Sequence, residues 1–545
     1  MSGYGLLARA LSAAASTRAK LEKIARLAEA LAPLEDGELA AAARLLAGSP
    51  FAEWEQAVTS VGWSTVARAA ASVTGWDLET IGASARAIGD LGEAIGLLLP
   101  RDARPEPALE ILEVDARLRE LATRRRAAEK GATVEDLLRR ATPLEAQYIV
   151  KTLSGGLRVG ADLATIEEAV AAAFAADREA VARARRDCGD IGEVAVAARE
   201  KRLDAIRFRL FHPIGFMLAS PIENPEEVSA ELSDFAVEDK FDGIRAHAHK
   251  SGSRVALFSR TLDDVTAQFP EVAVALGVPP GEYLLDGELV AWKREEERVD
   301  SFFRLQRRLG RKAPPPDLLA EIPVAFVAYD CLAVGDAPLF ERPWADRRAE
   351  LERLASESPG AFRLSDVRRA PDAAVLEDLF RAARERGNEG LMLKRRDSPY
   401  QAGKRGRAWR KWKKALATLD VVVTAVEQGN GKRAGMLSDY TFAVRDGEKL
   451  VNIGKAYSGL TDEEIRRMGA RFRKITVARY GPVRAVAPEV VLEVAFDTIQ
   501  KSSRHRSGFA LRFPRIVRIR EDKRPEDADT VERVEEIWRG IQGIG

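Results

Sequence analysis

Cysteine is nearly missing from this chain: Cys188 and Cys331 are the only two in 545 residues. Their separation excludes a C-x-x-C zinc pair, and so low a count suits a reducing compartment. Histidine is almost as scarce, with His212, His247, His249 and His505 scattered along the sequence. His247 and His249 share a strand face but have no evident third ligand, so no zinc site is assigned. Net charge is also lacking. The 85 Lys and Arg against 84 Asp and Glu leave +1, so only local clusters can indicate a partner. Long apolar runs are absent too. Arg9 and Arg18 interrupt the first one, so neither a signal peptide nor a membrane span is expected. No fixed-period repeat appears, which argues against a solenoid. What remains is a soluble, cytoplasmic protein long enough for about two to four domains.

Residues 1 to 205 read as helix after helix. Ile24, Leu27 and Leu31 share one helical face. Thr142-Pro143-Leu144-Glu145 supplies an N-cap, a first-turn proline and a capping-box glutamate. Asp36 and Thr133 are further candidate caps, and an Ala-rich helix is expected over 165–186. Strand patterns then alternate with helices over 206–415. Strands are expected over 235–240, 254–258, 283–285, 288–292 and 324–330, with a turn at 286–287. Helices are expected over 345–355 and 373–386. Residues 416–545 read mainly as strands, with one helix starting near Thr461, as in a small β-barrel. The fold class is therefore multidomain: an all-α N-terminal domain, an α+β central domain and a C-terminal β-barrel.

The central domain holds a run of chemistry-bearing segments. In FAVEDKFDGIR, Lys240 ends a strand, Asp242-Gly243 turns the chain and Arg245 returns a second cation. A lysine amine pinned among carboxylates and an arginine is a candidate covalent nucleophile. Taken by itself, K-x-D-G could equally be a surface hairpin with solvated charges. The segments that follow oppose that reading. Ser259-Arg260 ends a strand with a phosphate-suited arginine, and Asp286-Gly287-Glu288 brings two carboxylates. Tyr329 lies on a strand where a purine could stack. Glu389 and Lys394 pair a carboxylate with a lysine, and Lys411 and Lys413 share one face.

In this order the segments resemble the nucleotidyltransferase motifs of ATP-dependent DNA ligases. LRFPR (511–515) and RIREDK (518–523) are similar to that family's last motif, carried on an oligonucleotide-binding (OB-fold) barrel. LSGGLRVG (153–160) resembles its N-terminal DNA-binding domain, and the likeness spans nearly the whole chain. The resemblance implies three domains: a helical DNA-binding domain (1–205), an adenylation domain (206–415) and an OB-fold domain (416–545). Lys240 would attack the α-phosphorus of ATP and hold AMP, which then passes to the 5′-phosphate of nicked double-stranded DNA. Only a neutral amine attacks, and crowded cations favour loss of the ammonium proton. Arg245, Arg260, Lys411 and Lys413 would stabilise charge on the phosphates. Glu288 and Glu389 would ligate Mg²⁺. Glu238 would accept from the adenine amine while Tyr329 stacks on the ring; many ligases have phenylalanine at that place. Arg518 and Lys523 of the last motif would orient pyrophosphate, with 413–418 as the swivel. Self-adenylation would need only the central domain and the barrel.

Residues 394–414 hold ten Lys or Arg against one Asp, with Tyr400, Trp409 and Trp412 interleaved. So dense a cluster suits phosphates of a nick, with Arg405 the expected 5′-phosphate contact and Arg158 a helical-domain contact. A monomer is expected, and no sliding-clamp or repair partner is legible. Four rivals share part of this pattern, RNA ligases among them through K-x-D-G and several later motifs. An RNA-capping enzyme is not expected to carry so long a helical region before its lysine. NAD-dependent ligases usually need a four-cysteine module, which two cysteines exclude. A non-catalytic DNA-binding scaffold would not keep every matched charged position filled.

Overall fold

The computed structural model describes residues 3–100, 109–311, 313–413, 417–429, 433, 435–496 and 498–542. Two compact units emerge: Met1–Gly75 with Leu99–Lys414, and Trp76–Leu98 with Ala415–Gly545. Residues 414–416 of the expected swivel lie outside the described residues. Among those described, no helix is long and apolar enough to cross a membrane.

The first unit begins with helices packed through small and aliphatic side chains, with Leu7, Leu27 and Leu31 fully buried. Thr142 caps Pro143–Leu153: its hydroxyl accepts from the Glu145 N–H (3.3 Å) and the Glu145 carboxylate accepts from the Thr142 N–H (2.8 Å). Other local signals resolve differently. Asp36 is the first helical residue of Asp36–Leu46 rather than its cap. Thr133 sits inside Ala127–Arg140 and donates back to the Glu129 carbonyl (3.2 Å), the usual bond of a mid-helix threonine. The expected 165–186 helix is two helices, Leu163–Ala173 and Arg178–Cys188. Ala175 at φ +47° breaks it, and Asp177 starts the second by accepting from the Ala180 N–H (2.8 Å).

Two sheets follow in the same unit. A four-stranded sheet runs in the order Leu218–Ile222, Arg405–Lys413, Gly390–Arg395, Phe235–Lys240. The main path of a second sheet runs Arg254–Ser259, Ile244–Ser251, Tyr283–Lys293, Val324–Val334, Ala337–Pro338. Tyr283–Lys293 is one strand where two flanking a turn are expected. It pairs with Ile244–Ser251 without a register shift, so the strand runs straight through Asp286-Gly287. Its pairing with Val324–Val334 shifts register there, and the extra residue is Tyr329, on Val324–Val334, between the partners Ala328 and Asp330.

In the second unit, seven strands join one sheet around Thr418–Gln428, and Val421, Val423, Phe442, Ile453 and Leu492 are wholly buried. Among the described residues Lys449–Ala456 and Thr476–Tyr480 are its edges, so the sheet is open along this path. Asp462–Lys474 is capped by Thr461, and a second helix, Val531–Gln542, joins the single one expected.

Candidate active site

Strand pairing assembles the site. Lys240 lies opposite Gly390, which lies opposite Lys413; the next row is Glu238, Met392, Lys411, and the next Ala236, Lys394, Trp409. Alternation along each strand therefore puts Lys240, Glu238, Lys394 and Lys411 on one face. Two glycines permit this packing. A Cβ on Gly390, at φ +151°, would sit 2.2 Å from the Trp412 carbonyl oxygen. A Cβ on Gly243 would meet the Leu289 oxygen at 2.4 Å and Glu288 Cγ at 2.7 Å, so Gly243 serves the approach of two protein segments. Over this face opens a cavity of about 390 Å³. Lys240, Glu238, Glu288 and Glu389 line it with Arg245, Arg260, Tyr329, Arg405 and Lys411.

One end of the cavity is buried and holds a close ion pair. Glu238 and Lys394 are 2.6 Å apart, with side chains 2% and 1% exposed. The other Glu238 oxygen accepts from the Ser365 hydroxyl (3.2 Å), which itself accepts from Arg348 (2.9 Å). Burial pulls Lys394 below the usual lysine range, against the pull of Glu238. Its ammonium lies 4.2 Å from the Tyr329 ring centre and 4.6 Å from that of Trp409.

Beside it, Arg245 grips Asp286 through Nε (3.0 Å) and Nη2 (2.6 Å) and donates to the Met217 carbonyl (2.6 Å). Burial would raise Asp286, but Arg245 outweighs it and holds the carboxyl well below its usual range. The Tyr400 hydroxyl donates to Asp286 (2.8 Å) and accepts from the Met217 N–H (3.1 Å).

The other end is open and cationic. Lys240 Nζ stands 2.7 Å from Glu389 Oε2, with side chains 22% and 28% exposed, and Lys413 Nζ is 3.8 Å from the same oxygen. That oxygen receives no directed hydrogen bond, so the contact is one of charge. Burial favours the protonated form of Glu389, yet Lys240 overrides it and holds the carboxyl low. Burial and Glu389 push Asp242 up to about 6. Burial lifts Glu288 to about 8 despite the opposing pull of Lys240 and Arg245. Burial and neighbouring Lys240 lower Lys411.

Family comparisons now bear on this arrangement. A model described as "ATP dependent DNA ligase domain" matches residues 216–413, "DNA ligase N terminus" matches 3–171, and "ATP dependent DNA ligase C terminal region" matches 433–523. A "Probable DNA ligase" of Koribacter versatilis is 46% identical over 558 residues, covering 98% of this chain and 96% of its own. A "DNA ligase" of Methanopyrus kandleri is 35% identical over 553 residues, covering 99% of both. The chain belongs to the ATP-dependent DNA ligases. A solved structure titled "Pmar-Lig_PreS3" is 16% identical, covers 94% of this ligase and 99% of itself, and at TM-score 0.62 shows a shared fold.

The remaining expected residues of the ligase have their own surroundings. Arg158, at φ +55°, is exposed in its glycine-flanked turn, where Lys23 Nζ donates to the Val159 carbonyl (2.5 Å). In the second unit Arg518 donates to Glu493 (2.6 Å) and Lys523 to Asp420 (2.6 Å). Among the described residues no group of three or more His, Cys, Asp or Glu could hold a metal. Glu288 and Glu389 still offer the one or two carboxylates that Mg²⁺ takes beside phosphate and water. The underbonded Glu389 oxygen fits an arriving cation, and a cation there would supply the positive charge that favours the ionised form of Glu288, which burial disfavours. Asp286, Tyr400, Asp242 and Ser365 were not among the expected site residues. Asp286 and Asp242 carried a signal as members of the D-G-E and K-x-D-G segments, and Tyr400 as an aromatic of the 394–414 cluster; Ser365 carried none.

Proposed function

We propose that Lys240 is the amine that this ATP-dependent DNA ligase adenylylates, in the first of three steps sealing a 5′-phosphate/3′-hydroxyl nick in duplex DNA. The Lys240–Glu389 contact inside a cavity flanked by Arg260, Lys411 and Lys413 carries this reading. Glu389 holds the ammonium in place in the resting protein, and the cations around it favour the neutral amine, whose proton leaves to solvent. The Lys240 nitrogen then bonds to the α-phosphorus as the bond to the β-phosphate oxygen breaks, releasing pyrophosphate. In the second step the 5′-phosphate oxygen takes AMP from the lysine. In the third the 3′-hydroxyl displaces AMP.

Glu238 accepts from the adenine amine, Tyr329 stacks on the ring, and Arg245 is a fixed cation for the phosphates. Arg260, Lys411 and Lys413 take the phosphate charge. Glu288 and Glu389 hold Mg²⁺, which when bound withdraws charge from the phosphate oxygens. Arg405 and Arg158 bind DNA phosphates. Domains spanning 1–205, 206–415 and 416–545 divide the work, the last an OB-fold whose Arg518 and Lys523 leave Glu493 and Asp420 to orient pyrophosphate. The ligase works as a cytoplasmic monomer. Incubation with α-labelled ATP should leave label on the denatured protein, confined to the peptide bearing Lys240 and discharged by unlabelled nicked duplex. Label on another peptide would refute the assignment.

A further inference from the structure

Arg260 reaches the cavity from a tight turn at the end of Arg254–Ser259. The Ser259 N–H donates to the Asp263 carbonyl (2.9 Å), the Leu262 N–H donates to the Ser259 carbonyl (2.8 Å), and Leu262 takes φ +69°. The Leu262 carbonyl and the Asp264 N–H are gripped from the helical region by one side chain. Gln56 donates from Nε2 to the Leu262 carbonyl (2.8 Å) and accepts at Oε1 from the Asp264 N–H (2.8 Å). One amide thus satisfies a donor and an acceptor two residues apart, as a neighbouring strand would.

The amide is itself held. Gln56, at φ +50°, follows the short turn Glu53–Glu55, and its Nε2 also donates to the Glu53 carbonyl (2.9 Å). Glu53 is anchored twice: its N–H donates to the Gly189 carbonyl (3.1 Å) and its carboxylate pairs with Arg185 (3.1 Å). Trp54 stacks on His212 with ring centres 5.2 Å apart and planes 19° from parallel. A continuous set of bonds therefore runs from the helical core to the turn that aims Arg260.

We propose that Gln56 is a positioning residue for Arg260, through which the helical region takes part in ATP use. This departs from the expectation that self-adenylation needs only the central domain and the barrel. It rests on the reading of Arg260 as a phosphate contact. Without Gln56 the turn loses both outer hydrogen bonds and Arg260 samples more positions before ATP binds, which weakens nucleotide capture and leaves the bonded chemistry at Lys240 intact.

The test uses the full chain and measures single-turnover formation of enzyme-AMP against ATP concentration. Gln56→Ala should raise the half-saturating ATP concentration by about threefold to tenfold, the scale of two exposed hydrogen bonds, with little change in the saturating rate. Gln56→Glu should act likewise, because a carboxylate cannot donate to the Leu262 carbonyl. Arg260→Ala should shift it at least as far, and the double variant should be no worse than Arg260→Ala. The exposed Gln56 changes should leave the melting temperature unmoved. An unshifted half-saturation in Gln56→Ala, or penalties that simply add, overturns the coupling while sparing the Arg260 reading. No effect of Arg260→Ala sinks both.

Discussion

The two ends of the cavity differ in kind. At one, Glu238 and Lys394 pair in near-complete burial, braced by Ser365 and Arg348. At the other, Lys240 and Glu389 keep about a quarter of their side-chain surface open, and Lys411 and Lys413 stand close by. A buried ion pair contributes little net stability, yet breaking it is costly, so it serves to fix geometry. A cluster of part-exposed cations is mutually repulsive until phosphate arrives. On the proposed reading the buried end recognises and the open end reacts. Variants at the two ends should fail in different ways.

The largest effect belongs to the open end. Lys240→Ala should abolish enzyme-AMP formation while still sealing a nick whose 5′ end is already adenylylated, because only the first step needs the amine. Lys240→Arg should fail equally at that step, since guanidinium stays protonated. Stability should hardly change, because the lysine is part-exposed and its pairing weak. Enzyme-AMP formed from ATP by either variant would move the chemistry to another residue.

The buried end should answer with unfolding. Glu238→Ala strands a buried ammonium at Lys394 and should cost about 3–5 kcal/mol in urea denaturation. Glu389→Ala, at the open end, should cost no more than about 1 kcal/mol. Glu238→Leu with Lys394→Met removes both charges and should recover most of the loss, while on the proposed reading adenine selection should go. Equal penalties for Glu238→Ala and Glu389→Ala would erase the distinction between the ends.

Which parts of this site the sequence could announce follows from the range of each interaction. Lys240, Glu238, Lys411 and Lys413 were legible because strand alternation alone decides their shared face. Thr142 was legible because its capping box closes within three residues. The break at Ala175 was not: an alanine gives no warning of positive φ. Asp286-Gly287 looked like a turn because D-G is a turn signal, and only pairing with the strands on both sides carries one strand straight through it. Tyr400 is 114 residues from Asp286, and Gln56 is 206 from Leu262. Such bonds leave no local pattern, since either partner alone is an ordinary tyrosine or glutamine.

The smallest effect lies between the two ends, at Glu288. Burial raises its carboxyl from 4.5 to about 8, and Asp242 nearby rises to about 6. A folded-state pKa above the unfolded value means that the folded protein binds the extra proton. Stability is then full below the unfolded pKa and is lost as pH climbs through the folded one. The nucleotide-free ligase should therefore lose melting temperature as pH rises from about 5 to about 8, Asp242 supplying the earlier part of the slope. Glu288 keeps some of its surface open, so the slope should be shallower than full burial would produce. Glu288→Gln, which cannot ionise, should flatten the later part and leave the Asp242 part in place. Mg²⁺ should do the same in the unaltered protein by holding the ionised carboxylate, and it should bind more tightly as pH rises. Melting curves across that range, with and without Mg²⁺, decide the matter. Parallel curves for the two proteins would show Glu288 ionised throughout, as open to water as Glu389.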